Sequence, residues 1–210
     1  MPPIKRENEH DLRPEFDCIV QTVERGSRVL DLGCGDGRLL ARLTEEKGVS
    51  GRGIEKSEEF VTKCIGKRLS VHHGDIEDVI TNYPDGIFDY VILNKTLQVT
   101  HNPRAVIKEM LRVGKSAIVS LPNFAHWKIR LELLLTGRMP KSPALPFEWY
   151  DTPNIHLTTI KDFKGLCRRE GMAITREIYI NNQSPPIPEA LVAALPNLLA
   201  EIGVFVLNKR

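Results

Sequence analysis

One segment constrains this chain more than any other: a short apolar strand runs straight into three alternate glycines and then into a helix. It reads Val29-Leu30-Asp31-Leu32-Gly33-Cys34-Gly35-Asp36-Gly37, and Leu39, Leu40 and Leu43 then mark one face of a helix. Glycine permits the tight reversal and lets a ligand approach bare backbone. In an open parallel sheet, ligands bind in the crevice past the C-terminal ends of the strands, where such a turn lies. Gly37 is read as structural, leaving room for close helix packing.

Strand and helix alternate through the rest of the chain. Phe16, Ile19, Val20 and Val23 recur at helical intervals in Asp11–Glu24. Strands are expected at Ser27–Leu32, Gly51–Glu55, Leu69–His73, Ile87–Asn94, Lys115–Leu121, Met172–Ile180 and Gly203–Asn208. The unbroken apolar run Val91-Ile92-Leu93 suits a strand covered on both faces. Ser57, Asn102 with Pro103, and Thr158 or Thr159 open helices; Gly114 and Gly171 close them. The pattern predicts an α/β fold with a mostly parallel sheet and helices on both faces. Two segments exceed ordinary connections, at about 123–156 and 183–201. The first carries an amphipathic stretch with Trp127, Ile129, Leu131, Leu134 and Leu135 and then a proline-rich loop; the second carries Leu191, Leu195, Leu198 and Leu199 among prolines. Such insertions serve as lids, contact surfaces or covers for a sheet edge.

Length and charge narrow the function. The 210 residues suffice for one domain, 1–210, and the formal net charge of +2 points to neither nucleic acid nor an acidic membrane surface. Met1–His10 is too polar for a secretory signal, and no apolar run approaches bilayer length. Cys18, Cys34, Cys64 and Cys167 stand far apart, without metal-ligand spacing, and read as apolar fillers in a reducing compartment. A cytoplasmic protein without a metal is expected.

Three acids fall at neighbouring strand ends: Asp31 before the glycines, Glu55 after the second strand, and Asp75 in Gly74-Asp75-Ile76. Together they line one rim. Carboxylates there accept hydrogen bonds from an ammonium, a ribose diol and an adenine amine. Taken singly, Asp75 is equally a helix cap and Glu55 a solvated strand end. The rival reading is a nicotinamide-dependent dehydrogenase, whose Gly-x-Gly-x-x-Gly/Ala turn also wants an acid about 20 residues on. Here the third glycine comes one place early, Arg38 occupies the small-residue position, and Asp31 and Asp75 are left without a role.

The strand, turn and acids resemble the S-adenosylmethionine site of class I methyltransferases. That resemblance implies a Rossmann-like, seven-stranded sheet with an antiparallel last strand. It places Gly33, Cys34 and Gly35 beside the methionine part of S-adenosyl-L-methionine or S-adenosyl-L-homocysteine, with Asp31 near its amino group. Glu55 then holds the ribose with Lys56 beside it, Asp75 and Ile76 frame adenine, and Asn94 lies near the sulfonium.

Beyond this motif, Leu12-Arg13-Pro14-Glu15-Phe16, Leu97-Gln98-Val99, Leu121-Pro122-Asn123-Phe124 and Phe147-Glu148-Trp149-Tyr150-Asp151-Thr152-Pro153-Asn154-Ile155-His156 resemble the methionine biosynthesis protein MetW family over nearly the whole chain. The resemblance implies a role in methionine biosynthesis and action with a homoserine O-acyltransferase, acetyl or succinyl. Methyl transfer to an unidentified small molecule is the alternative. It is an in-line displacement that rests on alignment and water exclusion, so a missing catalytic motif decides nothing. Were there an acceptor pocket, Asn94, Asn123, His126, Trp149, Tyr150 and His156 would wall it. His156, Tyr150 and His126 are the candidate catalytic groups, set against the more ordinary structural roles of a hydrogen-bonded histidine, a loop anchor and a histidine at a helix start.

Overall fold

The apolar run of the fourth strand lies at the centre of a seven-stranded sheet of order β3-β2-β1-β4-β5-β7-β6 in the computed structural model, which describes residues 13–142, 145–182 and 186–209. The strands are β1 (Arg28–Leu32), β2 (Ser50–Glu55), β3 (Ser70–His73), β4 (Phe88–Asn94), β5 (Gly114–Pro122), β6 (Ala173–Ile180) and β7 (Ile202–Asn208). β7 runs antiparallel to β5 and β6, and the neighbouring strands from β3 to β5 pair in parallel. A dinucleotide fold has the order 3-2-1-4-5-6; the strand wedged in before β6 sets this sheet apart.

Nine helices surround it among the described residues: α1 (Pro14–Thr22), α2 (Arg38–Lys47), α3 (Glu58–Gly66), α4 (Ile76–Val79), α5 (Pro103–Val113), α6 (Trp127–Thr136), α7 (Ile160–Arg169), α8 (Glu189–Ala194) and α9 (Pro196–Leu199). Strand alternation divides the apolar residues between two cores. Val29, Ile92, Ile118, Val204 and Val206 meet α1 and α2 through Ile19, Val20, Leu39, Leu40 and Leu43. Leu30, Leu32, Val91, Leu93, Val119 and Phe205 meet α5 and α7 through Val106, Met110, Phe163 and Cys167. No helix of the described residues is long and apolar enough to cross a membrane.

The expected caps form. Ser57 accepts from the Phe60 N–H, Asn102 from Ala105 and Thr159 from Asp162. Gly114 ends α5 as expected, as the residue that caps it. It opens β5 in extended conformation (φ −115°), and a side chain there would meet Val91 Cγ2 at 2.6 Å. Packing, not a left-handed helix end, selects glycine. The first helix runs from Pro14; Asp11, Leu12 and the Met1–His10 stretch lie outside the described residues, as do Gln183–Pro185 of the second insertion.

The insertions behave differently from each other. In the second, Val192 and Ala200 are buried in the α5/α7 core and Leu199 packs against it, so much of this segment covers the sheet. Leu191 and Leu195 remain about half exposed. In the first, Ile129 is the one fully buried residue of α6. Asn123 ties the two together: its amide donates to the carbonyls of Ala200 (2.8 Å) and Asn197 (3.2 Å), while its oxygen accepts from Ala125 (3.1 Å).

Candidate functional site

β1 delivers the chain to the glycine turn, and β2 pins it. Gly33 and Cys34 both donate to the Ile54 carbonyl, at 2.8 and 3.1 Å. Gly33 (φ +67°) and Gly35 (φ +56°) are left-handed, a conformation that favours glycine. A Cβ on Gly33 would sit 2.8 Å from Thr96 Cγ2, whereas one on Gly35 would meet nothing within 4 Å. Gly37 has the packing role expected of it, since a Cβ there would press on Leu69 and Cys64.

Two cavities flank the turn and share Gly33, Gly35 and Phe60 as walls. One, of 440 Å³, is completed by Glu55, Lys56, Asp75, Ile76 and Thr96, with Pro153 reaching in from the first insertion. The other, of 370 Å³, is lined by Asp31, Cys34 and Asn94 together with Arg13 and Phe16 from the start of α1. All nine residues expected at the cofactor site therefore lie on one cleft at the C-terminal ends of β1 to β4.

Each acid has a distinct setting. Glu55 is buried and accepts from Gly35 N and Ser57 N, both at 2.8 Å, so it fastens the turn it faces. Asp75 caps α4 through Glu77 N (3.0 Å) and pairs with Lys56 Nζ at 2.9 Å. Hydrogen bonding from the Glu77 N–H and then Lys56 holds its carboxyl below the usual range. Asp31 is 2% exposed. Burial, and secondarily the charge of Glu55, pushes its carboxyl up to about 7. Asn94 takes a hydrogen bond from the Ser120 hydroxyl through Oδ1. The Cys34 and Cys64 thiols lie 3.9 Å apart, and burial raises both.

The expected acceptor wall does not assemble. Of its six members, Asn94 alone lines the cleft. Asn123 is consumed by the backbone bonds described above. His126 is buried at the start of α6, and burial followed by the charge of Lys128 pushes it down to about 4, so the ring is neutral near pH 7. Trp149 and Tyr150 are exposed and stack edge to face at 5.6 Å, forming surface away from both cavities. His156 is held by its backbone, which donates to the Gln98 carbonyl at 3.0 Å; its Nε2 is buried with no hydrogen-bond partner among the described residues.

Sequence reasoning missed Arg13, Phe16, Phe60, Thr96 and Pro153 in the cleft. It also missed the buried Glu15, whose carboxylate lies 2.6 Å from Lys95 Nζ. Lys95 adopts a left-handed φ of +52° between Asn94 and Thr96, so this pair joins α1 to the exit of β4.

Comparisons with known proteins agree with this architecture. The family model described as methionine biosynthesis protein MetW matches residues 13–207. The bifunctional methionine biosynthesis protein MetXA/MetW of Rhodopirellula baltica is 36% identical over 177 residues, covering 80% of this chain and 28% of that protein. This chain thus spans little more than a quarter of that relative's length. A demethylmenaquinone methyltransferase of Listeria monocytogenes is 31% identical over 161 residues, 70% of this chain and 67% of the enzyme. Among solved structures, an Archaeoglobus fulgidus S-adenosylmethionine-dependent methyltransferase superposes with TM-score 0.69 at 14% identity, covering 97% of this chain and 96% of that one. A possible histamine N-methyltransferase of Thermotoga maritima gives 0.66 at 17% identity, covering 93% and 87%. These structures share the class I methyltransferase fold with this chain. By the match along nearly all of its described length, the chain belongs to the methionine biosynthesis protein MetW family.

Proposed function

We propose that this protein binds S-adenosylmethionine, or S-adenosylhomocysteine, in the cleft and supports a homoserine O-acyltransferase in methionine biosynthesis. The residues fit such a ligand. Gly35 presents backbone with open space where a side chain would begin. An ammonium beside Asp31 draws that high-lying carboxyl into its charged form. Glu55 uses one lone pair per oxygen on Gly35 and Ser57 and keeps others for a diol. Ile76 offers an apolar face beside Asp75 for a purine. The bound molecule would supply an electrophilic methyl group; the chain's own residues bind and orient it.

The observation that carries the supporting role is the contrast between this complete rim and the dispersed acceptor wall. The Asn123 amide is taken by backbone carbonyls, His126 is buried at the start of α6, and Trp149 and Tyr150 face outward. The bifunctional relative supports the choice of partner, because its name joins MetXA with MetW in one chain. S-adenosylmethionine lies downstream of methionine, so the complex can report supply if its two forms differ in affinity for the ligand.

The test is acyltransferase activity with and without this chain, across a titration of S-adenosylmethionine. The proposal requires the chain to change that activity; no effect at any ligand concentration rejects it. Methyl transfer to a small molecule is the second reading, favoured by Asn94 and Pro153 adjoining the two cavities. It requires label to pass from methyl-labelled S-adenosylmethionine to an acceptor in extract.

A further inference from the structure

The cavity that holds Asp31 carries charge of both signs. Asp31 and Asp36 line it together with three cations, Arg13, Arg38 and Lys63. The amino-acid end of an adenosyl sulfonium is a zwitterion, with an ammonium and a carboxylate on one carbon. Asp31 answers the ammonium, so the carboxylate needs a cation within the same 370 Å³. The three cations stand on two sides. Arg38 reaches Asp36 at 2.9 Å and Lys63 reaches Glu59 at 2.5 Å, along α2 and α3. Arg13 belongs to the opposite side. It caps α1, its carbonyl accepts from the Phe16 N–H at 2.8 Å, and its guanidinium lies 5.3 Å from the centre of the Phe16 ring. The helix start is fixed there by Glu15, fully buried and 2.6 Å from Lys95 Nζ. Lys95 follows Asn94, which lines the same cavity, and β4 is the strand that pairs with β1 at Asp31. Glu15 and Lys95 thus carry Arg13 to the side of the cavity where β1 and β4 meet.

We infer that Arg13 takes the carboxylate of the ligand's amino-acid end and so ties α1 to the glycine turn when the ligand binds. This rests on the proposed S-adenosylmethionine site and adds to it a specificity residue and a consequence. Arginine suits the task, because its planar guanidinium offers a carboxylate two parallel N–H bonds. The Arg13 side chain is exposed, while Ile19 and Val20 further along α1 pack on the sheet. The anchored part of the helix therefore positions the arginine, and the ligand orders its exposed end. An adenosyl compound that lacks the carboxylate fills the cavity without engaging α1. The chain then selects S-adenosylmethionine and S-adenosylhomocysteine against adenosine thioethers that have lost the amino-acid end, and the state of α1 records which is bound.

The experiment is calorimetry of the full chain with S-adenosylmethionine and with its decarboxylated form, which keeps the ammonium and the sulfonium. The wild type, Arg13→Gln and Arg38→Gln are compared. A charge-assisted pair of this kind is worth about tenfold to a hundredfold in affinity. The wild type and Arg38→Gln should favour S-adenosylmethionine by that factor. Arg13→Gln should bind the two forms alike, with its affinity for the decarboxylated form kept. A folding defect weakens both ligands together, so the ratio within each variant reads the carboxylate alone. A preference that survives in Arg13→Gln, one that Arg38→Gln abolishes, or none in the wild type overturns the inference and leaves the cofactor site standing. Amide exchange supplies the second readout: S-adenosylmethionine should protect the amides of α1 in the wild type more than the decarboxylated form does, and equal protection overturns the tie to α1. If the wild type binds neither compound, the proposed site itself falls, and the role of Arg13 with it.

Discussion

Replacing Asp31 with Asn should move stability and ligand affinity in opposite directions. In the unfolded chain this carboxyl ionises near 3.8, whereas in the folded protein burial and Glu55 hold its proton up to about 7. A carboxyl raised by folding opposes the folded state once the unfolded chain is ionised. Stability therefore falls as pH rises between those two values and stays at the lower level above them. By linkage the penalty is about 1.7 kcal/mol at pH 5 and about 4 kcal/mol at pH 8. Asn is nearly isosteric and has no charge to bury. Its stability advantage over the wild type should thus grow by about 2–3 kcal/mol from pH 5 to pH 8, read as the difference in urea unfolding free energies. Removing a charged partner of the ligand's ammonium should weaken S-adenosylmethionine binding by about 1.5–3 kcal/mol, or roughly tenfold to a hundredfold in calorimetry. If Asp31→Asn destabilises the protein equally at both pH values, the carboxylate is a structural acceptor and this reasoning fails. If affinity is untouched, Asp31 does not face the ligand.

Other substitutions read separate parts of the site. Gly35→Ala should cost about 1–2 kcal/mol for a left-handed alanine, yet fold, because nothing lies within 4 Å of its Cβ; S-adenosylmethionine affinity should drop at least about tenfold as the methyl enters the ligand's approach. Glu55→Gln loses charge-assisted bonds to Gly35 N and Ser57 N, which should appear as about 1–3 kcal/mol in urea unfolding. It should also lower the midpoint of Asp31 in an NMR pH titration by removing a like charge, without restoring the ordinary value, because burial is the larger cause. Lys95→Met leaves the buried Glu15 carboxylate without its cation and should cost about 3–5 kcal/mol, whereas Leu in place of both residues should recover most of that loss. Asn123→Ala strips the link between the insertions and should cost about 2–4 kcal/mol, with amide exchange rising first around Asn197 and Ala200.

The β1–glycine–α2 unit was legible because local sequence and global fold agree there: apolar strand, left-handed glycines and helix face follow one another without a gap. The acid rim was legible for the same reason, since each acid sits at the end of a recognisable strand. What failed depended on contacts distant in sequence. Gly114 ends α5 as its place in the sequence suggests, but the reason for glycine there was hidden: Val91, on the adjacent strand, excludes a side chain. Asn123, His126, Trp149 and Tyr150 looked like pocket walls because polar and aromatic residues in a long loop suggest a site. Nothing local showed that the Asn123 amide is taken by carbonyls more than 70 residues away. Arg13, Thr96 and Pro153 meet the cleft only because three separate loops converge over the sheet. The leucines of α6 were read as an amphipathic face, and their exposure is a tertiary fact that spacing does not carry.

A crystal structure of this chain with S-adenosylhomocysteine tests the central claim most directly. It should show the homocysteine part against the Gly33–Gly35 backbone with its ammonium at Asp31, the ribose diol at Glu55 and the adenine between Ile76 and Asp75. A ligand bound elsewhere, or one whose ribose and ammonium avoid those carboxylates, would contradict it.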